Sequence, residues 1–179
     1  MFSSNSLFSP ALLFFLLLGI NLPLSAQDLV QVAYDPTNNV QFEVPADWQA
    51  QLFEGGYLMQ SNLHEGYLAV LPVEGISLAE MEIQYVSGIS FPELGIELTP
   101  IPEELEKDGL RNMPVRGQMG WQPIEGYLTG VVLPDGSTFW VISGTDLAQS
   151  DDQWAAWGQE IAQSLKIGAP KSRGQLSIR

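Results

Sequence analysis

The clearest fold signal in this sequence is Gly126-Tyr-Leu-Thr-Gly-Val-Val-Leu133, then Pro134-Asp135-Gly136, then Ser137-Thr-Phe-Trp-Val-Ile-Ser143. Two runs rich in β-branched and aromatic residues flank a tripeptide of turn formers, which predicts a β-hairpin. Similar runs bounded by turn residues occur at Leu29–Tyr34, Val40–Val44, Trp48–Phe53, Tyr57–Gln60, Tyr67–Leu71 and Val115–Met119. We therefore predict an antiparallel sheet of about six to eight strands.

A helix is predicted in the middle of the chain. Ser77-Leu-Ala-Glu80 is a capping box, in which the Ser77 hydroxyl accepts a hydrogen bond from the amide three residues on while Glu80 reaches back. Leu78, Met81 and Tyr85 follow at helical spacing, and Gly88 is suited to end the helix. This pattern indicates one amphipathic helix between strands.

A second helix is predicted from Ser150 or Asp151 to Ile167, with Lys166 in its last turn. One apolar face is expected to pack on the sheet and consists of Trp154, Trp157, Ile161 and Leu165. On that reading Trp157→Ala should cost about 3–5 kcal/mol. The fold class is therefore α+β, an antiparallel sheet flanked by a mid-chain helix and a C-terminal helix.

The N-terminus reads as a secretory signal. Ala11–Ile20 is an apolar run of the length of a signal h-region, and Ala26 precedes the polar Gln27. We expect cleavage after Ala26, which defines a signal peptide 1–26, a single domain 27–168 and a disordered tail 169–179. The alternative is an uncleaved N-terminal anchor, because Leu7–Leu24 could form a marginal membrane span.

Charge and composition narrow the function classes. The net charge is −14, from 21 acidic against 7 basic residues, and none of these charges lies in residues 1–26. Such a surface repels phosphate backbones and anionic lipids, so we expect no nucleic-acid partner. Solubility explains this charge, and a cationic partner is the alternative explanation. The chain has no cysteine, which excludes thiol catalysis and Cys-ligated zinc.

Two side chains are candidates for partner binding. His64 is the only histidine, in Ser61-Asn-Leu-His-Glu-Gly66, and is expected to be exposed on a turn; as a general base it would need a nucleophile and an orienting acid. Trp121 falls in a predicted loop, where its ring could stack on a sugar, anchor a protein, or fold back as a lid on the core.

Carboxylates form two clusters, which are Glu103, Glu104, Glu106 and Asp108, and the pair Asp151 and Asp152. Paired acids can hydrolyse glycosides when burial raises one pKa. A solvated helical turn is the alternative for both clusters, with Pro102–Asp108 forming such a turn. No phosphate loop, G-x-S-x-G elbow or H-E-x-x-H motif is present, so no catalytic residue, cofactor or metal is predicted.

Several short motifs carry a family resemblance: Phe42-Glu-Val-Pro-Ala-Asp-Trp48, Glu65-Gly-Tyr-Leu-Ala-Val70, Ser77-Leu-Ala-Glu-Met81 and Ile161-Ala-Gln-Ser-Leu165. Together they resemble an uncharacterised group of bacterial secreted domains and are similar to the PsbP/Mog1-type sandwich. The motifs are a Pro-x-x-Trp strand end, Gly hairpins and a helix ending Ile-x-x-Ser. The resemblance implies a non-catalytic accessory or binding role and supplies no site residues.

The sequence therefore predicts a secreted or periplasmic accessory or binding domain without catalytic activity. Its partner would be an unknown protein or saccharide of the cell envelope, with no stable membrane insertion after cleavage. One alternative is a hydrolase that uses buried carboxylates, which needs two acids converging in one cleft. The other is a carbohydrate-binding module, which needs several exposed, coplanar aromatic faces.

Overall fold

The computed structural model describes residues 31–53, 55–101, 111–145 and 152–170. Within these ranges the α-helices are α1 Leu78–Ser87 and α2 Asp152–Ser164, and Pro92–Leu94 forms a single turn of 3-10 helix. The strands there are β1 Gln31–Asp35, β2 Val40–Val44, β3 Trp48–Phe53, β4 Gly56–Ser61, β5 Tyr67–Val73, β6 Ile89–Phe91, β7 Ile96–Pro100, β8 Met113–Met119, β9 Gln122–Val132, β10 Thr138–Thr145 and β11 Lys166–Ile167. The predicted signal peptide, the Pro102–Asp108 turn and tail residues 171–179 lie outside the described residues.

The larger sheet has eight strands in the order β3-β4-β5-β10-β9-β8-β7-β6, and every pair is antiparallel. Only β5 and β10 are neighbours in space but not in sequence, so β10 closes two meanders into one sheet. The predicted hairpin is present, because β9 and β10 are joined through Pro134–Gly136. The predicted fold class, an α+β arrangement with an antiparallel sheet and two helices, is confirmed.

Every residue of β10 is buried, because both faces of the larger sheet are covered. Phe139 and Val141 join a core that includes Trp154 and Ile161 of α2. Trp140 and Ile142 point to the opposite core, which includes Met81 and Tyr85 of α1. A strand buried on both sides reads as a continuous apolar run, which is the pattern of Phe139–Ile142.

The first two predicted strands do not join the larger sheet. Strands β1 and β2 pair with each other, and β2 also pairs with β11 in a separate three-stranded sheet. Tyr57 in β4 links the two sheets, because its hydroxyl donates to the carbonyl oxygen of Tyr34 at 2.9 Å. Burial, and secondarily the charge of Asp35, raises the pKa of Tyr57 to about 12. Tyr57 therefore holds the small sheet to the large one as a neutral donor.

The C-terminal helix ends three residues earlier than predicted, at Ser164. Lys166 therefore lies in β11 rather than in a last helical turn, and Lys166 pairs with Gln41 while Ile167 pairs with Val40. The physical reason is that β2 offers unpaired backbone groups along its edge. Lys166 and Ile167 pair with these groups, although helical periodicity alone would have continued the helix through both residues. The predicted start at Ser150 or Asp151 lies outside the described residues.

Helix α1 begins with the predicted capping box. The Glu80 amide donates to Ser77 Oγ at 3.3 Å, and the Ser77 amide donates to Glu80 Oε2 at 2.7 Å. Gly88 caps the other end, and Met81 and Tyr85 are buried, whereas Leu78 is half exposed. Neither helix in the described part of the chain is long and apolar enough to span a bilayer.

Candidate functional site

A cleft of about 600 Å³ opens between α2 and the turn that joins β2 to β3. Its walls come from α2, from the end of β2, from the Pro45–Asp47 turn and from the His64 turn between β4 and β5. The aromatic and charged side chains that line it are Glu43, Asp47, His64, Trp157, Glu160 and Lys166. Most of these residues come together only in the folded chain, because they lie on separate elements.

Four rings form an aromatic cluster at one side of this cleft. The Trp48 ring stacks on His64 with centroids 6.0 Å apart and meets Trp157 edge-on at 5.3 Å. Trp157 in turn contacts Trp154 at 5.0 Å and His64 at 4.8 Å, both edge to face. Trp48 and Trp154 are buried, whereas His64 and Trp157 are half buried and line the cleft. The cluster therefore presents two partly open rings on a rigid aromatic base.

The position of His64 differs from the expectation of an exposed turn histidine. The local turn is as predicted, because Ser61 Oγ accepts hydrogen bonds from the amides of Leu63 at 3.0 Å and His64 at 3.3 Å. The ring, however, packs against Trp48 and Trp157, and so it is half buried. Burial of two large apolar rings favours this packing over solvation of the imidazole.

Two local devices hold the cleft in shape. In the β2–β3 turn the Trp48 amide donates to the Pro45 carbonyl oxygen at 3.2 Å, with Asp47 in the left-handed region at φ 69°. Aspartate tolerates this conformation better than most residues. On the other wall Ser164 Oγ accepts from the Glu43 amide at 2.9 Å and donates to the Ile161 carbonyl oxygen at 2.8 Å. Helix α2 is thereby fastened to the edge of β2.

These two sets of hydrogen bonds explain two sequence motifs to which no structural role had been assigned. Pro-x-x-Trp is the turn from Pro45 to Trp48, and Ile-x-x-Ser runs from Ile161 to Ser164. Both motifs border the cleft, at opposite walls. Sequence reasoning missed the site because each motif reads as local structure, and only the fold brings the two together.

The cleft is acidic. Glu43, Asp47 and Glu160 are solvent-exposed, and none of their carboxylates has an ion-pair or hydrogen-bond partner among the described residues. Lys166 is the single lysine or arginine in the lining. The cleft therefore combines a partly open aromatic surface with an excess of unpaired negative charge.

Trp121 lies away from this cleft, in the two-residue turn between β8 and β9. The turn is held by a hydrogen bond of 2.8 Å from the Gly120 amide to the Gly95 carbonyl oxygen. The Trp121 side chain is 100% exposed, so the alternative that it folds back as a lid on the core is wrong. A tight hairpin leaves its tip beyond the reach of the core. The role of Trp121 in partner binding stays a prediction.

The predicted carboxylate clusters do not form a site in the described residues. Asp152 is exposed in the first turn of α2, as expected for a solvated helix start, whereas Asp151 and the Glu103–Asp108 cluster lie outside the described residues. In the part of the chain that the structure describes, no three His, Asp or Glu side chains are grouped closely enough to hold a metal ion. The cleft is therefore the candidate site.

No protein-family model and no curated protein matches the chain. Among solved structures the chain is similar to the solution structure of cyanobacterial PsbP (CyanoP) from Synechocystis sp. PCC 6803. The two share 12% sequence identity with a TM-score of 0.44, over 77% of this chain and 92% of that chain.

Proposed function

We propose that this chain is a non-catalytic accessory or binding module, secreted or periplasmic, and that the cleft beside α2 is its binding site. The observation that carries the proposal is a concavity of about 600 Å³ lined by two half-buried rings, Trp157 and His64. Small-ligand and side-chain sites are commonly clefts of about 300–1,000 Å³, with aromatic walls and a few polar groups. The base beneath these rings is buried, so the site is preformed and loses little entropy on binding.

The exposure of the cleft carboxylates supports binding over hydrolysis. A carboxyl group that acts as a general acid near neutral pH needs burial to raise its pKa. Glu43, Asp47 and Glu160 are all solvent-exposed instead. We therefore expect a screen of ester, glycoside, phosphate and peptide substrates to show no turnover above background. Turnover that disappears in His64→Ala, or in a folded variant of one cleft carboxylate, would reject the non-catalytic assignment.

A second candidate is a carbohydrate-binding module, for which the fully exposed ring of Trp121 supplies one of the several exposed aromatic faces that such a module needs. An exposed tryptophan ring is suited to stacking on a pyranose ring. This site and the cleft predict different mutational effects, so one experiment separates them. The full chain is immobilised and exposed to an extract of its native cell envelope. Retained proteins and saccharides are then identified by mass spectrometry.

The experiment uses two cleft variants and one control. Trp157→Ala removes a ring from the wall, and Ala46→Trp fills the cleft from an exposed position in the turn. Trp121→Ala removes a ring outside the cleft. We expect one partner to be lost from both cleft variants and kept by Trp121→Ala, with circular dichroism confirming that all three fold. Retention by both cleft variants and loss from Trp121→Ala would overturn the cleft and favour the saccharide module.

Export is tested separately by N-terminal sequencing of the protein recovered from the periplasm or medium. The proposal expects the chain to begin at Gln27, after Ala26, the small residue at the end of the signal-like segment. A chain that keeps Met1 and sediments with membranes would support the N-terminal anchor instead.

A further inference from the structure

We propose that the cleft recognises an organic cation, an ammonium or guanidinium group carried by a protein side chain or by a free amine. This inference rests on the proposed function and names the ligand chemistry of the same site. It follows from two features of the cleft lining, the aromatic wall and the carboxylates that have no partner among the described residues.

The aromatic wall can hold a cation by its ring electrons. Trp157 lines the cleft partly buried, in edge-to-face contact with Trp48 at 5.3 Å and Trp154 at 5.0 Å. These contacts fix the orientation of the ring before any ligand arrives. Tryptophan is the best aromatic partner for a cation, and such contacts contribute most when the ring is held in place and partly desolvated. The wall is therefore suited to a flat guanidinium or a compact ammonium group.

The carboxylates supply charge complementary to the same group. Glu43 extends from the end of β2, Asp47 from the turn and Glu160 from α2, so negative charge comes from several sides of the cleft. None of the three has an ion-pair or hydrogen-bond partner among the described residues, and each is therefore available to a ligand. Charge-assisted hydrogen bonds from a guanidinium group to a carboxylate are about twice as strong as hydrogen bonds between neutral groups.

Charge also argues against an anionic ligand in this cleft. Lys166 faces three carboxylates in the lining, and the whole chain carries a net charge of −14. A phosphate or carboxylate ligand would meet repulsion both in the cleft and during approach. A cation is attracted both during its approach and inside the cleft. The net charge of the chain and the carboxylates of the cleft therefore both favour a cationic ligand.

The single histidine provides a reporter inside the site. Because His64 lines the cleft and is the only histidine, its imidazole proton resonances are unique in the NMR spectrum of the full chain. N-acetyl-arginine amide is titrated against N-acetyl-citrulline amide, which has nearly the same shape without the charge. We expect a saturable shift of the His64 resonances with the arginine compound, at least about fivefold weaker binding of the citrulline compound, and weaker arginine binding as salt is raised.

Matched variants separate local charge from net charge. Glu160→Gln removes one negative charge from the cleft, whereas Glu82→Gln removes one from the exposed face of α1. We expect arginine binding to weaken about two- to fivefold in Glu160→Gln and to stay unchanged in Glu82→Gln. Trp157→Phe, which keeps a smaller ring, should weaken binding by a similar factor. A His64 spectrum unchanged by arginine, equal binding of citrulline, or equal weakening in Glu82→Gln would overturn the inference.

Two further arms identify the source of the cation and separate this inference from the proposed function. Tighter binding of an acetyl-Gly-Arg-Gly amide peptide than of spermidine assigns the cation to a protein side chain, and the reverse assigns it to a free polyamine; both support the inference. If the envelope partner is lost from Trp157→Ala but is retained by the double variant Glu160→Gln, Asp47→Asn at the wild-type level over a series of salt concentrations, the cleft binds a ligand that is not cationic. If the partner is kept by Trp157→Ala and Ala46→Trp, the proposed binding site itself fails.

Discussion

Three tryptophans differ in exposure and should differ in the same order when each is replaced by alanine. Trp154 is 5% exposed and Trp121 is 100% exposed, while Trp157 lies between them. A tryptophan side chain buries about 200 Å², which corresponds to about 5 kcal/mol at 25 cal/mol per Å². Trp154→Ala should therefore destabilise the fold by about 4 kcal/mol, within the range measured for large buried residues.

For Trp157→Ala the same reasoning gives about 3 kcal/mol, because Trp157 is only partly buried and about two thirds of its area is removed from water. This value lies at the low end of the range expected when the helical pattern alone placed Trp157 fully in the core. Part of the cost is loss of edge-to-face packing on Trp48 and Trp154. Trp121→Ala should change the free energy of unfolding by less than about 0.5 kcal/mol, as for other exposed sites.

Urea unfolding followed by far-ultraviolet circular dichroism measures all three changes, because the loss of backbone secondary structure gives a transition in every variant whether or not a tryptophan has been removed. The midpoints should fall in the order wild type and Trp121→Ala, then Trp157→Ala, then Trp154→Ala, with the slope unchanged. If Trp154→Ala is too unstable to measure, Trp154→Phe should still fall below Trp121→Ala. A Trp157→Ala cost equal to or greater than that of Trp154→Ala would refute the described packing of the aromatic cluster.

Gly126→Ala should cost several kcal/mol in urea unfolding, because a Cβ at Gly126 would lie 2.1 Å from the Ser143 carbonyl oxygen; a cost below about 1 kcal/mol would contradict the close approach of β9 and β10. Burial raises the pKa of Tyr57 to about 12, so the stability that its neutral hydroxyl contributes is complete below about pH 10 and is lost as the pH rises toward 12. Tyr57→Phe should therefore lose less stability than the wild type at alkaline pH. Equal losses would contradict the role of Tyr57 as a buried neutral donor. Ser77→Ala should cost about 1 kcal/mol through loss of the helix cap, as seen in thermal unfolding at neutral pH. Hydrogen bonds from the Ser77 amide and hydroxyl hold the pKa of Glu80 below its ordinary value. The difference in unfolding free energy between the wild type and Ser77→Ala should therefore shrink as the pH falls through that lowered pKa. A difference that stays constant into acid would count against the capping box.

The features that could be predicted from the sequence depend on residues close together in the chain. The capping box spans Ser77 to Glu80, and the hairpin turn is held by the Ser137 amide donating to Asp135 Oδ1 at 2.9 Å. Both are complete within a few residues, so their geometry follows from local chemistry. The buried face of α2 was likewise predicted because helical periodicity places Trp154 and Ile161 on one side.

The candidate site could be predicted only in pieces. His64 was singled out as the only histidine, but its stacking on Trp48 depends on the pairing of β3 with β4. Trp157 was assigned to the core because periodicity gives a direction from the helix axis and not the depth of cover. The carboxylates of the cleft were not singled out, since exposed acids on separate elements look like ordinary surface residues.

By itself, the sequence determined the α+β class, the hairpins, the two helices and the order of most strands along the chain. Only the tertiary structure decided that β1 and β2 form a second sheet and that Lys166 and Ile167 pair with β2 instead of continuing the helix. It alone also decided that a cleft forms between α2 and the end of β2. The physical reason is the range of the interactions. Turns and caps are satisfied by near neighbours, whereas Ser164 reaches the Glu43 amide across 121 residues. Which strand edge such a segment finds is decided by the whole folded core.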